Sequence, residues 1–377
     1  MSETDIVGTR AVPSMKMPSS SQDITPDLIN AIIHPWHPEI MIDTVDIAES
    51  KEYGDGMVST AARAVIDVTY SSANSKNLPS RLVFKLARSP DFKIGPLYAN
   101  EVRFYNLLRP EFLDVEAPLC LGGAYDPATE QFGLLLEDLT LRGARFPNTT
   151  VHVSLAEVES VLEQLARVHA QYWLSPRFNT DLSWVETHVA GPLAEFMQNH
   201  VPPVIQQEID TENFKRELVE RLRTTGEELR RGTRKLHEHQ QTLPYTLLHG
   251  DTHLGNTYLL PEGRGGLLDW QLSVRGHHMH DVNYLITTAL SIGTRRKHER
   301  DLLTFYLDRL KAFGVSEPPS FEDSWTEYRR TLVWGVYIGW LTTNVANYGW
   351  EINILNHLRL TTAFEDHETS KLVAELG

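Results

Sequence analysis

The sequence predicts an α+β protein in two lobes, a small antiparallel sheet first and a mainly helical lobe after it. Three observations carry this. Strand-like runs alternating with a period of two fall between residues 43 and 136, and helical periodicity dominates from residue 154 onward. Between the helices lies a stretch of another kind, His249-Gly250-Asp251-Thr252-His253-Leu254-Gly255-Asn256, trailed by a Gly-rich turn and Asp269. The 377 residues suffice for two lobes with real cores, and 41% apolar with 23% charged residues is an ordinary globular composition.

Residues 1–30 are expected to form a flexible tail, rich in Ser, Pro and Thr up to Ser21 and without the apolar run of a signal peptide. The first lobe then spans 31–139. Asp43 to Tyr70 reads as two strands around the turn Glu52-Tyr53-Gly54-Asp55-Gly56-Met57. Glycines at such a tip are ordinary turn residues, and they also let backbone N–H groups approach a phosphate. Arg81 to Leu86 is a third strand, with Leu82, Phe84 and Leu86 on one face and Val83 and Lys85 on the other. Lys85 is either an exposed edge residue or a cation aimed into a cleft. The helix after Pro96 favours the cleft. Tyr98, Glu101, Tyr105 and Leu108 share one helical face, so Glu101 sits inside an apolar stripe. A carboxylate there is costly without a partner, and Lys85 on the preceding strand is the obvious one. Gly133 to Leu136 is a further strand, ending in Glu137-Asp138-Leu139.

The helical lobe is read from 140 to 377. Ser154 and Glu157 form a capping box ahead of a long core helix carrying His169, a structural histidine by its apolar setting. Phe178, Trp184, Phe196 and Phe214 either line a pocket for an apolar alcohol or fill a core. Phe214 to Leu236 is highly charged and reads as one solvated amphipathic helix. His277, His278 and His280 precede a helix starting near Val282, with Asp281 as its N-cap. Three histidines invite zinc, but the absence of a nearby Cys and of regular ligand spacing argues against it. Arg296 to Leu310, Phe321 to Asn344 and Glu351 to Leu376 read as the last helices. Gly335 and Gly339 point to close packing within the core.

Bulk properties exclude several classes. A net charge of −15 argues against nucleic-acid and anionic-membrane partners. Leu332 to Leu341, the most apolar run, is too short to span a bilayer. Cys120 is the lone cysteine, which rules out an intrachain disulfide and fits a cytoplasmic location.

The central stretch carries the chemistry. Thr257 to Leu260 and Leu267-Leu268 read as a hairpin around Pro261 to Gly266. Antiparallel pairing brings Asn256 near Asp269, and these hard oxygen donors suit Mg²⁺ and its bound phosphates. Asp251, five residues before Asn256, can then orient a hydroxyl and accept its proton.

The string His249-Gly250-Asp251-x-His253-x-x-Asn256, with Asp269 on the following hairpin, resembles the catalytic loop of the aminoglycoside phosphotransferase and choline-kinase-like family. That family is a branch of the protein-kinase-like fold, and the resemblance covers roughly residues 35 to 345. It implies ATP and Mg²⁺ as cofactors and a small-molecule hydroxyl as acceptor. It implies Asp251 as the base, Asn256 and Asp269 as metal ligands, and Lys85, set by Glu101, on the phosphates. Gly54, Gly56 and Ser59 would cover the phosphates, and the hinge at 136–139, with Glu137 and Leu139, would receive the adenine. His277-His278 departs from the family, where Pro is common, and touches loop shape rather than chemistry. A protein kinase fits less well: eleven residues separate Asp269 from Asp281, with no Ala-Pro-Glu after them. A dead nucleotide-binding regulator is disfavoured by the full set of phosphate and metal residues. The acidic balance suits aminoglycosides or choline-like cations as acceptors. The length and the Leu-Glu-Asp-Leu hinge look more like the ecdysteroid-kinase-like branch, with larger and less polar acceptors.

Overall fold

The computed structural model describes residues 13–18, 20–51, 61–71, 77–87 and 94–376. The turn holding Gly54, Gly56 and Ser59 lies outside these residues. The first lobe is built on β1 (Ile42–Lys51), β2 (Ala61–Tyr70), β3 (Arg81–Ala87), β4 (Cys120–Asp126) and β5 (Gln131–Glu137). They form one sheet in the order β1-β2-β3-β5-β4, every neighbouring pair antiparallel. Leu82, Phe84 and Leu86 of β3 bury together in the apolar cluster on one side of the sheet. Lys85, on the other side, is also buried.

The tail expected to reach residue 30 ends earlier. Helix α1 (Pro26–Ile33) starts with Pro26, and the Oγ1 of Thr25 accepts from Leu28 N at 3.3 Å. Met17, Ile24, Ile29, Ile32 and Ile33 are buried in the same cluster as β3. A sheet face rich in Ile and Leu needs a second layer, and this segment supplies it.

Helix α2 (Gly95–Arg103) runs on through a π-helical turn at Phe104–Leu108. That turn brings Phe104 onto Trp270 at 4.1 Å with planes 7° apart, so the residue after Asp269 is clamped by the first lobe.

The second lobe holds α3 (Leu155–Gln171), α4 (Pro192–Asn199), α5 (Val201–Thr211), α6 (Asn213–Arg221), α7 (Gly226–Gln240), α8 (Met279–Ala289), α9 (Ile292–Ala312), α10 (Phe321–Trp334), α11 (Val345–Tyr348), α12 (Trp350–Asp366) and α13 (Thr369–Ala374). The capping box forms: Ser154 Oγ accepts from Glu157 N at 3.3 Å, and Glu157 Oε2 accepts from Ser154 N at 2.8 Å. The single solvated helix expected from Phe214 to Leu236 is two helices. The chain breaks at Arg223, with φ of 53°, and Thr225 caps α7 by accepting from Glu228 N. Nor is α6 wholly solvated, because Lys215 is fully buried and donates to Glu208 Oε2 at 2.7 Å and to Thr343 O at 2.6 Å. Beyond α10 the chain takes a π-helical turn at Gly335–Trp340. A Cβ on Gly339 would meet the Tyr284 ring within 2.5–2.8 Å, so the small residue lets this turn press against α8. Among the described residues no helix is long and apolar enough to cross a membrane.

Candidate active site

Two short two-stranded pieces frame the site: β6 (Thr246–Leu248) with β9 (Val274–Gly276), and β7 (Thr257–Leu259) with β8 (Gly265–Leu267). The first strand ends one residue earlier than expected and the second starts two residues earlier, at Gly265, so Thr257 pairs with Leu267 and Leu259 with Gly265. Leu268 N donates to Asn256 O at 2.8 Å, which sets Asn256 beside the residue leading into Asp269.

The loop from His249 to Asn256 is held at nearly every residue. Asp281 accepts from His249 N at 2.7 Å and Gly250 N at 2.9 Å, and its backbone oxygen accepts from Thr252 Oγ1 at 2.6 Å. His169 Nε2 lies 3.2 Å from the same carboxylate, and its Nδ1 is 2.7 Å from Tyr306 Oη, a structural role. Asp281 is therefore not the N-cap of α8. The cap position is His278, without a side-chain cap, and the Asp281 carboxylate reaches back from the first turn to the loop. His249 Nε2 donates to Leu268 O at 2.7 Å, while its Nδ1 accepts from Asp251 N at 3.2 Å. Gly250 has φ of +84°, and a Cβ there would sit 2.0 Å from Leu272 O, so only glycine fits.

Asn256 Nδ2 donates to Asp251 O at 2.9 Å and to Asp251 Oδ2 at 3.0 Å. This commits the amide nitrogen and leaves the amide oxygen as the atom to meet a cation. Asp269 adopts φ of 60°, a left-handed conformation that costs a non-glycine residue roughly 1–2 kcal/mol. Lys85 Nζ donates to Glu101 Oε1 at 2.7 Å and Oε2 at 2.9 Å, and to Asp269 Oδ1 at 3.1 Å. One ammonium thus bridges α2 of the first lobe and the hairpin of the second.

Electrostatics follow from this crowding. Burial opposes the charge of Lys85, yet Asp269 and Glu101 hold its ammonium above the usual range. Burial also opposes the charge of Asp269, but Lys85 pulls its carboxyl below the usual range. Glu101 moves up, driven by burial against the pull of Lys85. Among the described residues Asp251 has no cation of its own. Burial first, and the Asp269 charge second, push its carboxyl up to about 8. The oxygen donors of Asn256 and Asp269, with the Asp251 carboxyl beside them, fit a hard divalent cation such as Mg²⁺. Burial lowers His253 to about 4, so a neutral imidazole stands 3.9 Å from Asp251 Oδ2.

The hinge residues are more committed than the sequence implied. Glu137 N donates to Leu119 O at 2.9 Å, and Glu137 Oε1 accepts from Leu119 N at 2.8 Å and from Arg142 at 3.3 Å. The Leu139 side chain is buried with Tyr258 and Leu260 of the hairpin region.

Beside the loop opens a pocket lined by Gly250 and Leu272, with Val189, Leu193, Met197 and Trp334 among its largely apolar walls. None of the four aromatic residues named above lines it. Phe178 is core, and Phe214 packs on Trp350 and His357. Asn100 is a further residue of the site. It is buried on α2 and donates to Gln271 O at 3.0 Å and Ser273 O at 2.8 Å, tying that helix to the chain just past Asp269. An amide next to Glu101, where the helix should be apolar, was its one signal.

A sheet lobe over a helical lobe, with a Lys–Glu pair facing this loop, defines the class of kinase-like small-molecule phosphotransferases. The model of the ecdysteroid kinase-like family matches residues 53–314, and the chain belongs to that family. No curated protein sequence matches it. Among solved structures it is similar to a choline kinase from Streptococcus pneumoniae, at 16% identity and TM-score 0.46 over 90% of this chain and 98% of that one. It is similar to a choline kinase from Cryptosporidium parvum, at 12% identity and TM-score 0.49 over 89% and 90%. A macrolide 2′-phosphotransferase from Brachybacterium faecium aligns at 17% identity and TM-score 0.44 over 88% and 98%.

Proposed function

We propose that the protein transfers the γ-phosphoryl group of ATP to a hydroxyl of a small-molecule acceptor, with Mg²⁺. The observation that carries this is Lys85, bonded at once to Glu101 and Asp269 across the cleft, opposite Asp251 and Asn256. Asn256 and Asp269 would hold Mg²⁺, which neutralises charge on the transferred group. Lys85 binds phosphate oxygens, and Glu101 keeps its ammonium aimed. Asp251 orients the acceptor hydroxyl and takes its proton late. His249 and Asp281 hold the loop, so Asp251 need not reorganise as the reaction proceeds.

The acceptor side rests on the pocket. Its apolar walls and its position beside Gly250 support a bulky, weakly polar alcohol rather than a small polycation. The test is ADP release by the purified chain with Mg-ATP and a panel of steroid-like alcohols, choline and aminoglycosides. Turnover with at least one alcohol is expected, fastest with the apolar ones. Nucleotide binding without ADP release above background across the panel would instead support a regulator and overturn the assignment.

A further inference from the structure

Three histidines distant in sequence meet at the back of this pocket. His188 lies just before α4, His237 lies on α7, and His280 lies in the first turn of α8. One ring nitrogen from each falls within 4.8 Å of the other two. His188 Nε2, His237 Nε2 and His280 Nδ1 are buried and have no hydrogen-bond partner. Orphaned buried nitrogens are rare and each costs free energy, so three in one place call for an explanation. The other nitrogen of His280, Nε2, donates to Gly250 O at 3.2 Å. That bond fixes the tautomer and leaves Nδ1 unprotonated and free to ligate, the outer-sphere arrangement usual for a metal-bound imidazole.

We propose that His188, His237 and His280 form a three-nitrogen site for one divalent transition-metal ion of the zinc class, with a fourth position open to the pocket. Neutral imidazoles prefer such ions to Mg²⁺, which takes oxygen donors. This site is therefore distinct from the one at Asn256 and Asp269, and it does not depend on the phosphotransfer reading. Burial keeps the rings uncharged: His188 falls well below its usual range, His237 to about 3, and His280 is lowered too. Zinc with bonds of about 2.0–2.1 Å needs its nitrogens roughly 3.3 Å apart, a closure reachable by ring rotation. The rings are close but not yet aimed at one point. Between centroids, His188 lies 4.2 Å from His237 with planes 11° apart and 4.4 Å from His280 with planes 30° apart. His237 lies 6.2 Å from His280, so a shared ion needs His188 or His237 to turn out of this stack. Nearby cations are neutralised, since Arg230 pairs with Glu227 at 2.7 Å and Arg234 with Glu238 at 2.8 Å. His277 and His278 take no part. His277 Nδ1 accepts from Met279 N, and His278 stacks on Tyr306. A bound ion would pin α7 and the segment before α4 to α8, the helix whose Asp281 holds the catalytic loop.

The test uses the full chain, stripped with a chelator and titrated with Co²⁺ in excess Mg²⁺. We expect one Co²⁺ per chain, the intense visible absorption of four-coordinate Co²⁺, displacement by Zn²⁺, and a higher melting temperature. His188→Ala and His237→Ala should each weaken binding by more than about 10-fold. His152→Ala, at an exposed position, should not. His188→Gln and His237→Gln keep volume and polarity, so they give the same answer if an alanine variant fails to fold. No stoichiometric binding in excess Mg²⁺, or binding that survives substitution at both positions, overturns the site.

Discussion

The two sides of the cleft handle polar groups in opposite ways. Toward the sheet lobe, Lys85, Glu101 and Asp269 are buried charges that satisfy one another at 2.7–3.1 Å. Toward the helical lobe, His188, His237 and His280 are neutral, and each has one buried ring nitrogen without a hydrogen-bond partner. The first arrangement resists opening, because opening it would strand a charge. The second is stable only while it stays uncharged. The contrast sets four experiments.

The largest effect is expected at the point where the lobes join. Asp269→Asn removes both the proposed metal ligand and the second partner of Lys85. Turnover should vanish at any Mg²⁺ concentration, while circular dichroism stays that of the parent. Retained activity at saturating Mg²⁺ would separate the hairpin from the chemistry.

Acid should unfold the neutral side first. Eight imidazoles are held below their usual range by burial, among them His237 and His357 at about 3 and His253 and His277 at about 4. The unfolded chain binds these protons near 6.5 and the folded chain does not. Their stabilisation is thus full above that pH and is lost as pH falls toward about 4. Asp251, Glu101 and Glu186 are raised and act in the opposite sense, but three acids do not offset eight histidines. Urea melts should show stability falling by on the order of a few kcal/mol per pH unit below about 6. A flat profile between pH 7 and 5 would mean that the rings carry charge in the fold.

Glu101→Ala probes the paired side. Removing one partner of a buried pair costs about 3–5 kcal/mol, and here Asp269 remains to soften the loss toward the lower figure. If stability is unchanged, Lys85 and Glu101 are not committed to each other in solution. Glu101→Gln should recover most of the stability and little of the turnover.

What could be read in advance follows the same divide. Lys85 and Glu101 are sixteen residues apart on adjacent elements, and an apolar stripe interrupted by a carboxylate announces a partner. The loop from His249 to Asn256 is local, so its residue types and spacing stated its chemistry. The histidine cluster joins residues 188, 237 and 280, and only the packing of α7 against the rest brings them together. Of the run His277-His278-His280 only His280 joins the cluster, and the spacing of the run does not show which. Helix α1 was hidden by the polar tail before it, although Thr25-Pro26 already marks a helix start. The break before α7 was hidden by continuous charge, although Thr225-x-x-Glu228 was there to be read.

The smallest of the four effects concerns Asp251, where the two sides meet. Its carboxyl accepts from Asn256 Nδ2 at 3.0 Å, lies 3.9 Å from neutral His253, and touches no Lys or Arg among the described residues. Burial and the Asp269 charge therefore favour its protonated form, up to about 8. A divalent cation at Asn256 and Asp269 reverses that bias and leaves a carboxylate that is a weak base, fit to align a hydroxyl and accept its proton late. Asp251→Asn keeps the shape and one acceptor oxygen but loses the charge. The kcat should fall by on the order of 10²-fold, about 2.7 kcal/mol in barrier, with little change in affinity for Mg-ATP. The split between the two quantities decides the matter. A near-normal kcat with much weaker nucleotide binding would make Asp251 a ligand of the metal–nucleotide complex, and the base would have to be sought elsewhere on the pocket wall.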